Sequence, residues 1–290
     1  MDDYIVRAMT MDGKLRAFAS TTKNTIREAQ EIHGLSPVAC AALGRCLTAV
    51  GMMGIMLKSD GDSVTIQVNG NGPLGNIVVC SDSQARVKGY VKNADVYLPP
   101  RKDGKLDVGG AVGRDGTLTV IRDMGMKQPY IGKVELTTGE IAEDLTSYYA
   151  MSEQLPSSVG LGVLVDTDGS CKAAGGFIIQ LMPGFPTEKI GMIEKRLGKL
   201  SGVTRYLGSG KTPEYILNLL LGDMGLEILD SVTTEYECDC SKERIERGIL
   251  SLGRAEIEKL AEDDEPLEVV CEFCGKKYSI DSGRLLRMLE

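Results

Sequence analysis

The chain has 290 residues, 42% of them hydrophobic, which is more than one small core requires and predicts a larger domain with a smaller appendage. A formal net charge of -8, no Trp and only 5% aromatic residues exclude a general polyanion-binding surface and leave few platforms for stacked bases, so no nucleic-acid partner is expected. The acidic start MDDYIVRAMT lacks a basic stretch ahead of an apolar run, and eight cysteines without a secretory signal point to a reducing compartment, the cytoplasm, where thiols serve metals or redox chemistry.

Residues 1–183 read as an α+β domain of hairpins and segregated helices. Asp-Gly pairs at 12/13, 103/104, 115/116 and 168/169 are hairpin signals, because the left-handed turn they favour matches the twist of paired strands. The first hairpin is YIVRAMTMDGKLRAF. NTIREAQEIHG then predicts a helix closed by Gly34, and Ser36 with Pro37 supplies the N-cap and first turn of a second helix running to about Leu57. That helix is apolar nearly all round, so it is expected to be buried. Its longest apolar run, CLTAVGMMGIML at 46–57, is too short to span a bilayer, and no membrane segment is expected. GNGPLG at 70–75 matches a dinucleotide fingerprint, but a strand follows where that fingerprint needs a helix, so a hairpin connection is the reading. SVGLGVLVDTDGSCKAAGGFIIQLMP forms the last hairpin, two apolar strands for the centre of the core.

After LMPGFP the pattern turns helical to about residue 234, and residues 184–230 are expected to form a linker of marginal helices. Ile190, Ile193, Leu197 and Leu200 share a stripe, and EYILNLLLG follows a start signal at Pro213. Gly191 and Gly198 fall inside the first of these helices, each costing about 1 kcal/mol relative to Ala. Short helices of this kind persist only while docked. GSGKT at 208–212 resembles the end of a phosphate loop, yet Arg205 stands where the earlier glycine is required and Pro213 follows at once.

Residues 231–290 form a third unit, too small for a self-sufficient core, in which a staple is expected. Cys238 and Cys240 form a C-x-C, Cys271 and Cys274 a C-x-x-C, and four thiolates from two paired segments suit tetrahedral zinc, one ion per chain. With every position a thiolate, the site is structural rather than catalytic. The only histidine, His33, sits at a helix end, so no nucleophile has a visible base and no enzyme is expected. Cys40, Cys46, Cys80 and Cys171 read as buried small hydrophobes without close partners. Two residues of extended chain span about 7 Å at most, so a disulfide between Cys238 and Cys240 needs a tight, strained turn. Oxidation also destroys the ligands a metal requires, so metal and disulfide exclude one another. Loss of the staple would unfold the small unit, undock the linker and bare apolar surface able to hold other apolar chains.

CDCSKERIERGILSLG and VVCEFCGKKYSID, with PSSVGLGVLV and AAGGFIIQLMPG in the first domain, identify a resemblance to the heat shock protein 33 family of redox-regulated holdase chaperones along essentially the full length. The resemblance implies that Cys238, Cys240, Cys271 and Cys274 hold zinc in the reduced, inactive state. It further implies that oxidation pairs Cys238 with Cys240 and Cys271 with Cys274, releases zinc and unfolds the linker. By the same resemblance, the activated protein dimerises, holds unfolding client proteins without ATP under stress, and passes them to ATP-dependent foldase chaperones. The competing readings are a zinc-ribbon nucleic-acid-binding protein, opposed by fifteen acidic against nine basic residues in the last unit, and an enzyme with a merely structural zinc.

Overall fold

The computed structural model of the protein describes residues 2–262 and 265–289. The chain divides into two compact units, Met1–Tyr236 and Glu237–Glu290. In chain order the first holds β1 (Tyr4–Thr10), β2 (Leu15–Thr21), α1 (Lys23–His33), α2 (Pro37–Gly54), β3 (Ser63–Asn71), β4 (Ile77–Asp82), β5 (Arg86–Val91), α3 (Val108–Val112), β6 (Gly113–Asp123), β7 (Tyr130–Glu135), α4 (Ala142–Met151), β8 (Ser157–Val165), β9 (Cys171–Leu181), α5 (Ile190–Lys199), α6 (Val203–Gly208), α7 (Pro213–Leu221), β10 (Leu226–Thr233) and β11 (Glu235–Tyr236). The second holds α8 (Lys242–Leu250), α9 (Arg254–Leu260), β12 (Leu267–Val270), β13 (Lys277–Ile280) and α10 (Ser282–Arg287). The architecture is the α+β arrangement read from the sequence.

Two sheets build the first unit, one ordered β10-β1-β2-β9-β8 and the other β11-β5-β4-β3-β6-β7. Helix α2 packs against strands of both, and nearly all of its residues are buried, which is why its sequence lacks a polar face. Among the described residues it is the one helix long and apolar enough to cross a membrane, and here that apolar surface is spent on the two sheets. Local signals place its start: Ser36 Oγ accepts the Ala39 N–H at 3.3 Å and Pro37 opens the first turn. Gly34, with φ of 61°, closes α1 as its position predicts.

The hairpins at Asp12/Gly13 and Asp168/Gly169 connect β1 to β2 and β8 to β9. Asp103/Gly104 makes a tight turn in a segment without strands. Asp115/Gly116 lies inside β6 and makes no turn; a Cβ on Gly116 would stand 1.9 Å from the Asn69 carbonyl oxygen, so this glycine serves close strand approach.

The helical reading to residue 234 fails at its end. Gly225, left-handed at φ of 68°, stops helix formation, and β10 instead pairs antiparallel with β1 along its length. The linker boundary expected at 230/231 therefore falls within a strand, and residues 184–236 pack with the first unit. Helices α5 and α7 lie where the sequence puts them, and the short α6 lies between them without a signal of its own. Ile193, Val203, Ile216, Leu217, Leu220 and Leu221 form one buried cluster with Val6 and Ala8 of β1, Leu15, Ala17 and Ala19 of β2, and Phe177 and Ile179 of β9. The helices thus cover the face of the first sheet that α2 does not.

Candidate metal centre and the helical cover

The second unit has little interior of its own: Ile249, Ile257, Ile280 and Leu285 are its buried apolar cluster. Polar contacts add to it. Glu246, nearly buried, accepts two hydrogen bonds from the Arg284 guanidinium, at 2.9 and 2.6 Å, joining α8 to α10.

Four cysteines meet at one place in this unit. Cys238 and Cys240 lie on the extended segment ahead of α8, whose N-cap Ser241 accepts the Arg244 N–H, while Arg244 also pairs with Asp239 between the two thiols. Cys271 and Cys274 sit on the turn between β12 and β13. There the Cys271 carbonyl accepts the Gly275 N–H at 2.8 Å, the Cys271 N–H donates to Lys276 at 2.9 Å, and Gly275 takes φ of 70°. The turn folds this way because glycine alone adopts that backbone freely, and it leaves both thiols on one side. All four Sγ atoms lie within 4.8 Å of one another.

The donor set fits zinc. Metal–sulfur bonds of about 2.3 Å in a tetrahedron place sulfurs about 3.8 Å apart. Two sulfur contacts run crosswise between the two motifs, Cys238 with Cys271 at 3.7 Å and Cys240 with Cys274 at 3.3 Å. Tyr278 on β13 donates its hydroxyl to Cys240 Sγ at 3.0 Å, a partner the sequence offered only as the aromatic after the glycine turn. Burial pushes the Cys240 thiol up, but hydrogen bonds from Tyr278 and the neighbouring thiols outweigh it and bring the group down to about 7. Burial holds Cys238 and Cys274 above the ordinary thiol range. The cluster thus favours thiolate first at Cys240, the form that binds metals and reacts with oxidants.

The remaining cysteines depart from the sequence expectation. Cys40 on α2 and Cys171 at the start of β9, both fully buried, interact through their thiols, and Cys80 lies 3.3 Å from the Thr65 hydroxyl. Only Cys46 matches the solitary buried thiol, with burial raising it. No local signal marks the Cys40–Cys171 approach, since it depends on how α2 packs on β9. His33 is also engaged: its Nε2 lies 3.0 Å from the Tyr236 hydroxyl.

The helical cover carries two glycines that the packing does not explain. A Cβ at Gly191 or Gly198 of α5 would meet nothing within 4 Å, and neither has a left-handed backbone. Neither glycine is demanded by packing, so each weakens the helix without a steric reason.

The chain is similar to known proteins over nearly its whole length. Residues 3–281 match the family model described as Hsp33 protein. The 33 kDa chaperonin of Thermoanaerobacter sp. (strain X514) is 53% identical over 289 residues, covering 100% of this chain and 98% of that protein. That of Agathobacter rectalis is 51% identical over 288 residues, covering 99% and 100%. The crystal structure of a 33 kDa chaperonin, a heat shock protein 33 homologue from Thermotoga maritima, superposes with a TM-score of 0.88 at 35% identity, over 100% of this chain and 98% of that one.

Proposed function

The chain belongs to the Hsp33 protein family, a chaperone family rather than an enzyme family, and from that premise we propose that it is a redox-regulated holdase that binds unfolding proteins without ATP. The observation that carries this reading is the cluster of four thiols in a unit whose buried apolar cluster, among the described residues, is four side chains with seven partly buried ones packed against it. Cys238, Cys240, Cys271 and Cys274 would hold one zinc ion per chain in the reduced protein. The ion would supply a cross-link between the segment before α8 and the β12–β13 turn, contributing on the order of 10 kcal/mol to the folded unit.

Oxidation acts on the thiols. Cys238 with Cys240, and Cys271 with Cys274, each form a disulfide as one peroxide is reduced to water, and the ligand set ceases to exist. Both disulfides are local, so neither ties the two halves of the unit together. With the staple gone the unit unfolds, the disorder runs back along the chain into residues 184–230, and the sheet face formed by β1, β2 and β9 is uncovered. That face presents Val6, Leu15, Phe177 and Ile179 to apolar segments of client chains. Dimerisation on activation and hand-over to ATP-dependent foldases belong to the same reading, as does work in the cytoplasm.

The test is hydrogen exchange with client aggregation, on reduced and peroxide-treated protein. Zinc release, consumption of four thiols, lost protection over residues 184–230 and suppressed aggregation are expected together; equal client protection before and after oxidation would sink the reading.

Disulfide pairing gives a sharper result, because sulfur contacts also run crosswise between the motifs. Peptide mapping of the oxidised protein is expected to find Cys238–Cys240 and Cys271–Cys274. Pairing of Cys238 with Cys271 and Cys240 with Cys274 would instead staple the halves as the metal does, and the unit would stay folded. Such a map would refute unfolding as the switch.

The glycines of α5 give a result of opposite sign. Gly191→Ala with Gly198→Ala is expected to stabilise the helix by about 1 kcal/mol per site. The oxidised variant should then need a higher temperature than the parent to suppress aggregation, with zinc release unchanged. An unchanged temperature would mean that α5 does not set the threshold.

A further inference from the structure

We propose that Tyr236, held by His33 and Gly89, is the clasp that keeps loss of the C-terminal unit from running on into the helical cover. This inference rests on the redox reading above and adds a step to it.

Chain order imposes the problem. Cys238 is separated from α5–α7 by β10 and β11, so an event at the thiols travels along the chain to the helices by way of those two strands. Strand β10 is an edge strand, with Ile228 and Leu229 about half exposed and a register break opposite Arg7 and Ala8. Strand β11 is two residues long, Glu235 and Tyr236 pairing parallel with Arg86 and Val87. Backbone pairing so short holds weakly.

Side chains hold it instead. The Tyr236 phenol, 6% exposed, donates to the Gly89 carbonyl at 2.7 Å and accepts the Gly89 N–H at 3.3 Å. The hydroxyl thereby continues the ladder to β5 beyond the point where β11 ends. Its single proton is committed to Gly89, so the contact with His33 at 3.0 Å is a hydrogen bond from the imidazole Nε2–H. One donor and two acceptor sites are then filled. The two rings also meet edge to face, their centroids 6.2 Å apart.

The residues just before Tyr236 are anchored to the same helix from its other end. Thr234 donates its N–H to the Asp3 carbonyl at 3.1 Å and its hydroxyl to the Ala85 carbonyl at 2.8 Å. The Asp3 carboxylate accepts the Thr25 N–H and hydroxyl, at 2.7 and 2.8 Å, in the first turn of α1. His33 ends α1, so residues 234–236 are fixed at both ends of one helix that packs on β9. When residues 237–290 unfold, the chain leaving Tyr236 becomes a fluctuating tail, and this set of contacts decides whether the disorder stops there or runs on into β10 and the cover.

The experiment compares the parent with Tyr236→Phe and His33→Ala, and with His33→Gln, which keeps an N–H donor. Zinc release and thiol consumption are followed on peroxide treatment, and hydrogen exchange over residues 190–221 is measured against temperature in both redox states. Zinc release is expected to be equal in all four. After oxidation the cover should open roughly 5 °C lower in Tyr236→Phe and His33→Ala, with partial recovery in His33→Gln and a smaller shift in the reduced proteins. An equal opening temperature in parent and variants overturns the clasp while leaving the redox reading intact. So does a shift of the same size in reduced protein, which marks plain stability. Absence of zinc release from the parent removes the redox reading and the clasp together.

Discussion

Replacing Leu217 with Asp is expected to open the helical cover while all thiols remain reduced. Leu217 is fully buried among the side chains that join α7 to the sheet of β1, β2 and β9. Truncating such a leucine costs about 2–5 kcal/mol through lost transfer energy and the cavity left behind, and a carboxylate without a partner adds to it. Helix α7 has nine residues and cannot retain its form undocked in water. The larger core between the two sheets does not include Leu217, so the loss should fall on the cover rather than on the whole unit. Reduced Leu217→Asp should therefore bind an apolar dye and suppress aggregation of a thermally unfolding client, with its zinc content equal to the parent's. If exchange shows the cover open and the variant still fails to hold a client, the covered sheet face is not the binding surface.

What the sequence disclosed follows from the range of the forces involved. Gly34, the Ser36–Pro37 start of α2 and the Asp12–Gly13 turn are set by a few neighbouring residues, and the structure has them as read. The four-cysteine site was legible for a related reason: thiols grouped in two close pairs need only one long-range contact to converge. Features set by distant packing stayed hidden. Residues 226–233 carry enough leucine and isoleucine to pass for a helix, and only the free edge of β1 makes them a strand. Asp115–Gly116 has the composition of a turn, yet its glycine is there to let β6 pass the Asn69 carbonyl. Cys40 and Cys171 are 131 positions apart, and His33 and Tyr236 are 203 apart; neither contact has a local signature. Tyr236 stands two residues before the C-x-C pair and still reads, by sequence, as an ordinary strand aromatic.

Cys271→Ser is expected to have the largest effect on the second unit. A serine hydroxyl cannot replace a thiolate as a soft ligand, so three sulfurs remain where four converge. Contributions on the order of 10 kcal/mol from the metal are then lost or greatly reduced. The hydrophobic cluster of Ile249, Ile257, Ile280 and Leu285 has to oppose the conformational entropy of residues 237–290 almost alone. A unit of this size with so small an apolar cluster needs a staple to stay ordered. The purified variant should carry less than stoichiometric zinc and show unprotected amides from Glu237 onward, while at low temperature Met1–Tyr236 exchanges as in the parent. Because the clasp at Tyr236 is untouched, the cover should stay shut at low temperature and open on warming, without any oxidant. Full amide protection over 237–290 in zinc-free Cys271→Ser would show that the unit does not depend on the metal, and the proposed switch would lose its first step.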